Sequence, residues 1–151
     1  MAKRGLKALL LSSCLFLTYL VSLPVSSAEG ENPYKANESK LPPMKNPYEG
    51  DQKAAQEGRK LWFANGCNGC HGGTGGGGMC PPVINKVWVY GKSDAVLFNL
   101  IKLGSVELRN KYGLVRIGRE NVVGDMPPFS SLSDEEIWKL ITYIRSIYKG
   151  D

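Results

Sequence analysis

An all-α fold is what this sequence predicts, on three observations. Capped segments with apolar residues at helical spacing recur between residue 51 and the C-terminus. Only 87–90 and 114–117 look strand-like, and both are short. The stretches between the helical segments, 71–92 and 104–132, are irregular and unusually long for one domain. A chain of 151 residues has room for one such domain and a short tail. Its 42% hydrophobic residues make a modest core, and 18 glycines and 9 prolines work against regular structure. Three short helices bury little apolar surface, so a domain of this kind calls for a staple or a cofactor at its centre.

The elements follow in order. Residues 1–7 are basic, 8–23 are apolar and uncharged, and Pro24-Val25-Ser26-Ser27-Ala28 supplies small residues, so 1–28 reads as an export signal cleaved after Ala28. Two other readings exist for this end. The apolar run is close to the length of a membrane anchor. Leu11-Ser12-Ser13-Cys14 loosely fits a lipidation site, although the apolar run continuing past Cys14 argues against it. Residues 29–50 contain Pro33, Pro42, Pro43 and Pro47 among charged and Asn residues, without apolar period, and predict an extended linker. Asn32-Pro33-Tyr34 and Asn46-Pro47-Tyr48 echo one another, too briefly for a structural repeat, and both tyrosines read as solvated.

The folded domain is expected over 51–151. Its first helix spans 51–64, with Asp51 as cap, Ala54, Gly58, Leu61 and Trp62 on one face, and Asn65-Gly66 as the stop. A second helix is predicted over 94–103, capped by Ser93 and ended by Gly104. The third begins at the capping box Ser133 to Glu136 and carries Ile137, Leu140, Ile141, Ile144 and Ile147/Tyr148.

Charge excludes one class of partner. Lys3, Arg4 and Lys7 account for three of the 19 basic residues; without them, 16 stand against 14 acidic ones, a net of +2. That balance suits neither nucleic acid nor a polybasic membrane contact.

The chemistry is concentrated at Cys67-Asn68-Gly69-Cys70-His71, the C-x-x-C-H pattern of covalent haem attachment. Two thiols three residues apart at a helix end reach two vinyl groups on one edge of the ring, and the next residue, His71, is set under the iron. A zinc site would need four ligands, but the chain has one histidine and, past the signal, one further thiol in Cys80. A redox dithiol would need a βαβ context, which the sequence lacks. With His71 the only histidine, a second axial ligand within the chain must be Met, Lys or nothing. Met126 is the strongest candidate, between Gly124-Asp125 and Pro127-Pro128-Phe129, where two prolines stiffen the loop. Met79 is its rival, Met44 lies in the linker, and a Met can simply fill core space. The glycine run 75–78 formally completes G-x-G-x-x-G, but no strand precedes it, so it reads as a loop hugging the ring edge. Cys80 reads as buried, and Trp88, Tyr90, Arg109, Arg116 and Arg119 are candidates to hold the haem propionates.

From Gly58 onward the chain resembles the class I c-type cytochromes: a helix running into C-x-x-C-H, a distal Met loop and a closing helix. The resemblance implies a cytochrome c fold, with long loops wrapped around one covalent haem c and His71 and Met126 as iron ligands. It also implies that Gly58 and Trp62 cross Leu140 and Tyr143, and that the Pro81 carbonyl orients His71, with Cys80 where the family has Gly. The Gly-rich run to Met79, the following Pro81-Pro82 and Trp88-Val89-Tyr90-Gly91 before a Ser-Asp helix start resemble cytochrome c-L and related carriers. With an export signal and no acid, base or nucleophile constellation in the sequence, the expectation is a periplasmic electron carrier, not an enzyme. The narrower likeness implies that its electrons come from a quinoprotein methanol or alcohol dehydrogenase and pass to another cytochrome or a terminal oxidase. The competing class is a haem subunit or sensor with an open or displaceable sixth position.

Overall fold

The computed structural model describes residues 32–118 and 124–150, all within one unit that spans Glu31–Asp151. The predicted signal, 1–28, and Arg119 lie outside the described residues. Among those described there are five helices and no strand: α1 (Lys35–Glu38), α2 (Gln52–Ala64), α3 (Cys67–His71), α4 (Asp94–Tyr112) and α5 (Asp134–Ile147). None of them is long and apolar enough to cross a membrane.

The three long helices start where the caps predict. Asp51 accepts from the N–H of Ala54 at 3.0 Å, Ser93 from Val96 at 3.4 Å, and Ser133 closes the full capping box with Glu136. α2 stops at Asn65, whose side chain and backbone both donate to the Leu61 carbonyl, and Gly66 turns left-handed at φ 70°. Along α2 the buried residues are Ala54, Gly58 and Trp62, one stripe at i, i+4 and i+8. That stripe lies across α5, where Ile137, Leu140, Ile141, Tyr143 and Ile144 are buried. Lys139 ties the rim of the crossing by bridging Glu57 at 2.7 Å and Glu135 at 2.5 Å.

Two expectations are corrected. Gly104 does break α4, with φ 73° and ψ 170°, but the helix resumes through 105–112 and ends at Gly113. Buried Ser105 and Leu108 explain the resumption, because the second half has its own side to bury. The stretch 32–50 is not a free linker. Asn37, Leu41 and Asn46 are buried, and α1 is a short turn that carries Asn37 inward. The Asn37 amide donates to the carbonyls of Tyr90 (2.8 Å) and Val115 (2.7 Å), and its oxygen accepts from the Val115 N–H at 2.9 Å. Asn46 donates to Thr142 at 2.9 Å while its own N–H donates to Asp94 at 2.8 Å. The two Asn-Pro-Tyr echoes are the same local device. Asn32 and Asn46 each accept from the N–H of the tyrosine two residues on, at 3.0 and 2.9 Å. Tyr34 then accepts from the Trp88 N–H at 3.0 Å, so it is not merely solvated. The two strand-like segments form no strand, but they touch through Ile117 N–H donating to Val89 at 2.8 Å.

Asn37→Ala should therefore lower stability by about 3 kcal/mol, since it removes three hydrogen bonds worth about 1 kcal/mol each and strands backbone groups. Thermal melting of the holoprotein checks this, with a drop on the order of 10 °C expected. An unchanged Tm would show that 32–50 does not pack as described.

Candidate haem site

The site is built from two walls. The first begins where Gly66 turns the chain from α2 into α3, which carries Cys67, Cys70 and His71 on a single turn and a half. The glycine-rich stretch after it folds back along α3. Gly77 N–H donates to the His71 carbonyl at 2.9 Å, Cys80 N–H to Cys70 at 3.1 Å and Val83 N–H to Gly75 at 2.8 Å. Glycine is required for this return: a side chain at Gly78 would stand 2.8 Å from the Cys70 carbonyl. The return brings the Pro81 carbonyl to 2.7 Å from Nδ1 of His71. A carbonyl only accepts, so Nδ1 carries the proton and the lone pair stays on Nε2. Burial lowers the His71 pKa, and the Pro81 carbonyl partly opposes it. A neutral imidazole with Nε2 free is the form that ligates a metal.

The second wall is the break in α4. In an unbroken helix the Ser105 N–H would donate to the Ile101 carbonyl. Gly104 prevents that, and both groups pair with the loop 124–132 instead. Ser105 N–H donates to the Met126 carbonyl and Phe129 N–H donates to the Ile101 carbonyl, each at 2.9 Å. The loop is stitched into the gap in the helix, which places Met126 on the wall of the cavity that His71 also lines.

That cavity is lined by residues of α2, α3, α4 and α5 and of the loops between them. Trp62, Leu97, Ile101, Leu140 and Ile144, all members of the main core cluster, face it. Side chains of the main core thus also form part of the cavity wall. Two buried donors on its wall, Nε1 of Trp62 and Nε1 of Trp88, have no hydrogen-bond partner among the described residues. Buried donors are normally paired, and leaving one unpaired costs about 1–3 kcal/mol. A group with oxygen acceptors would satisfy them. The Cys67 thiol and an imidazole on one wall, with the Cys70 thiol on the same helix, a thioether on another wall, apolar sides and orphaned donors together fit haem c.

Cys67, His71, Pro81 and Met126 line the same cavity, whereas Cys70, on the same helix as Cys67 and His71, is not among its lining residues. Met79 is not brought in; it does not line the cavity and is 61% exposed. Burial pushes the Cys67 thiol up. Cys80, expected to be buried, is only partly so; its thiol contacts that of Cys70 and is pushed up to about 11, by burial first and by Cys70 second. Of the propionate candidates, Trp88, Tyr90 and Arg116 line the cavity, whereas Arg109 is engaged by Tyr90 at 2.8 Å and Asp125 at 2.7 Å. Sequence reading missed Ser105 and the second duty of Arg109. The available signal was a serine directly after the helix-breaking glycine, an arginine one turn on, and an aspartate directly before Met126.

Fold and site together define a c-type cytochrome, with haem c bound covalently. The chain belongs to the family described as cytochrome c oxidase, cbb3-type, subunit III, whose model matches residues 53–144. Among solved structures, cytochrome cL from the marine methylotrophic bacterium Methylophaga aminisulfidivorans is 28% identical, with a TM-score of 0.52 over 70% of this chain and 61% of that one. Cytochrome cL from Hyphomicrobium denitrificans is 24% identical, with a TM-score of 0.54 over 76% of this chain and 68% of that one, a likeness of fold. This chain thus spans 61% of the length of the first of these. No curated protein matches the sequence. The resemblance to the cytochrome c-L group, drawn above from the Gly-rich and Trp88–Gly91 motifs, agrees with these neighbours.

Proposed function

We propose that this chain is a periplasmic electron carrier in which Cys67 and Cys70 would hold haem c covalently, with His71 and Met126 as its iron ligands. The observation that carries the reading is that one cavity is lined by both His71, fixed through Nδ1 on the Pro81 carbonyl, and Met126. When bound, the haem supplies one-electron chemistry at an iron that Met/His ligation holds at a raised potential. The protein's part is to orient the imidazole, hold the thioether, keep water from the ring with Leu97, Ile101, Leu140 and Ile144, and pair the propionates with Trp88 and Arg116. Neither the sequence nor, among the described residues, the cavity wall presents a constellation for acid–base or nucleophilic chemistry, which favours a carrier over an enzyme. The likeness to cytochrome cL supports a quinoprotein methanol or alcohol dehydrogenase as donor, with another cytochrome or a terminal oxidase as acceptor. The family description supports a second reading, a haem subunit working within an oxidase.

Met126→Ala is expected to open the sixth position, let carbon monoxide bind the ferrous protein and lower the potential on the order of 0.1 V, within the roughly 0.8 V range that axial ligands set. Met79→Ala should leave both unchanged. If the two variants exchanged these behaviours, the ligand assignment would be wrong. Mixing the holoprotein with a quinoprotein alcohol dehydrogenase and its alcohol should reduce the haem; no reduction would favour the oxidase-subunit reading.

A further inference from the structure

We propose that Ser105 and Arg109, acting through Asp125, are positioning residues that clamp Met126 and set how often its thioether leaves the iron. The inference rests on Met126 being the axial ligand. Its ground is a closed set of hydrogen bonds around one short stretch of loop. Ser105 holds the Met126 backbone on both sides: its N–H donates to the Met126 carbonyl at 2.9 Å, and its Oγ accepts from the Met126 N–H at 3.0 Å. The same Oγ donates its proton to Oδ1 of Asp125 at 2.7 Å. Nη1 of Arg109, one helical turn beyond Ser105, donates to that same oxygen at 2.7 Å and to the Tyr90 hydroxyl at 2.8 Å.

The loop has few other ways to be held. Pro127 and Pro128 lack an N–H, so between Met126 and Phe129 only those two residues can donate from the backbone. Both donate to α4, Met126 to Ser105 and Phe129 to Ile101. The close approach depends on the broken helix. A side chain at Gly104 would stand 2.7 Å from both the Met126 carbonyl and the Pro128 nitrogen. Ser105 is itself buried, so leaving its hydroxyl unpaired would be costly. An ordinary helix-capping or surface role would not need one serine to bond both backbone groups of a single loop residue.

For the sulfur to leave the iron, the loop must lift away from α4, and each bond in the set opposes that. The test is the rate at which cyanide binds the ferric holoprotein, because cyanide enters only after the thioether has left. Ser105→Ala deletes the hydroxyl bonds and keeps the backbone one. It should speed cyanide binding about tenfold, the effect of a hydrogen bond or two of ordinary strength. It should also weaken the Met–iron charge-transfer band. Arg109→Gln should act in the same direction with a smaller effect, and Ser105→Thr, which restores a hydroxyl, should return both readings toward wild type. Thr142→Val, which removes a buried hydrogen bond to Asn46 away from this loop, serves as the control: it should lower Tm and leave the cyanide rate alone.

A cyanide rate within twofold of wild type in Ser105→Ala overturns the proposal. So does an equal acceleration in Thr142→Val, since general loosening would then be the cause. If Ser105→Ala fails to mature, Arg109→Gln decides, and an unaltered rate there sinks the clamp. Met126→Ala, run in parallel, separates the two levels. Loss of its charge-transfer band with an unaltered Ser105→Ala rejects the clamp alone. Retention of the band rejects the ligand assignment and the clamp with it.

Discussion

Replacing Cys67 or Cys70 with Ala is expected to reduce the yield of folded, haem-bearing protein at least tenfold, and the double variant to release its haem to acid acetone. The reason lies in where the ring would sit against the core. Trp62, Leu97, Ile101, Leu140 and Ile144 belong to the main hydrophobic cluster and also face the central cavity. All five are already buried by the protein around them, so the ring adds a packing partner on their cavity side. A typical domain is stable by only about 5–15 kcal/mol in all, so a small one that loses this partner has little margin. One surviving thioether keeps the ring tethered, so each single variant should retain a small haem-bearing fraction. Pyridine haemochrome spectra of the purified variants check the prediction. Wild-type yield and full retention of haem in the double variant would contradict it.

Much of this architecture is legible in the sequence because its signals are local. Asp51, Ser93 and Ser133 each cap a helix by bonding an N–H three residues away, so the pattern that announces the helix is also its chemistry. C-x-x-C-H is equally local, and Pro81 lies only ten residues from the imidazole that it orients. What escapes local reading is pairing at a distance. Asn37 looks like a solvated linker residue until Val115, 78 positions away, is brought to it. Gly104 looks like a helix end because the groups that take over its missing bond, on Met126 and Phe129, come from the far side of a long loop. Polar residues that satisfy remote backbone groups leave no period in the sequence. These are the same residues that tie 32–50 and the Met126 loop to the helices.

The helix crossing gives the other large expected effect. An ideal Cβ placed on Gly58 would lie 1.9 Å from the carbonyl oxygen of Lys139 and 3.0 Å from Cβ of Tyr143. The first of these is backbone inside α5 and cannot swing aside as a side-chain tip would. Even Gly58→Ala must push α2 and α5 apart by an ångström or more. That separation would open the contact of Trp62 with Tyr143, whose rings meet edge-on at 5.8 Å, and would shift Trp62 against His71, also at 5.8 Å between ring centres. Alanine favours helix over glycine by about 1 kcal/mol, and overpacking costs about 1–3 kcal/mol or more. With a contact this short against backbone, the steric cost wins. Gly58→Ala should lower Tm on the order of 10 °C, and Gly58→Val, with a branched side chain in the same place, should leave little protein that matures. Any fraction that does mature should still carry haem, because the attachment turn lies beyond the crossing. Lys60→Ala, at an exposed position on the same helix, should change stability by no more than about 0.5 kcal/mol. A Tm for Gly58→Ala at or above that of the unaltered protein would mean that α2 and α5 do not cross at this residue.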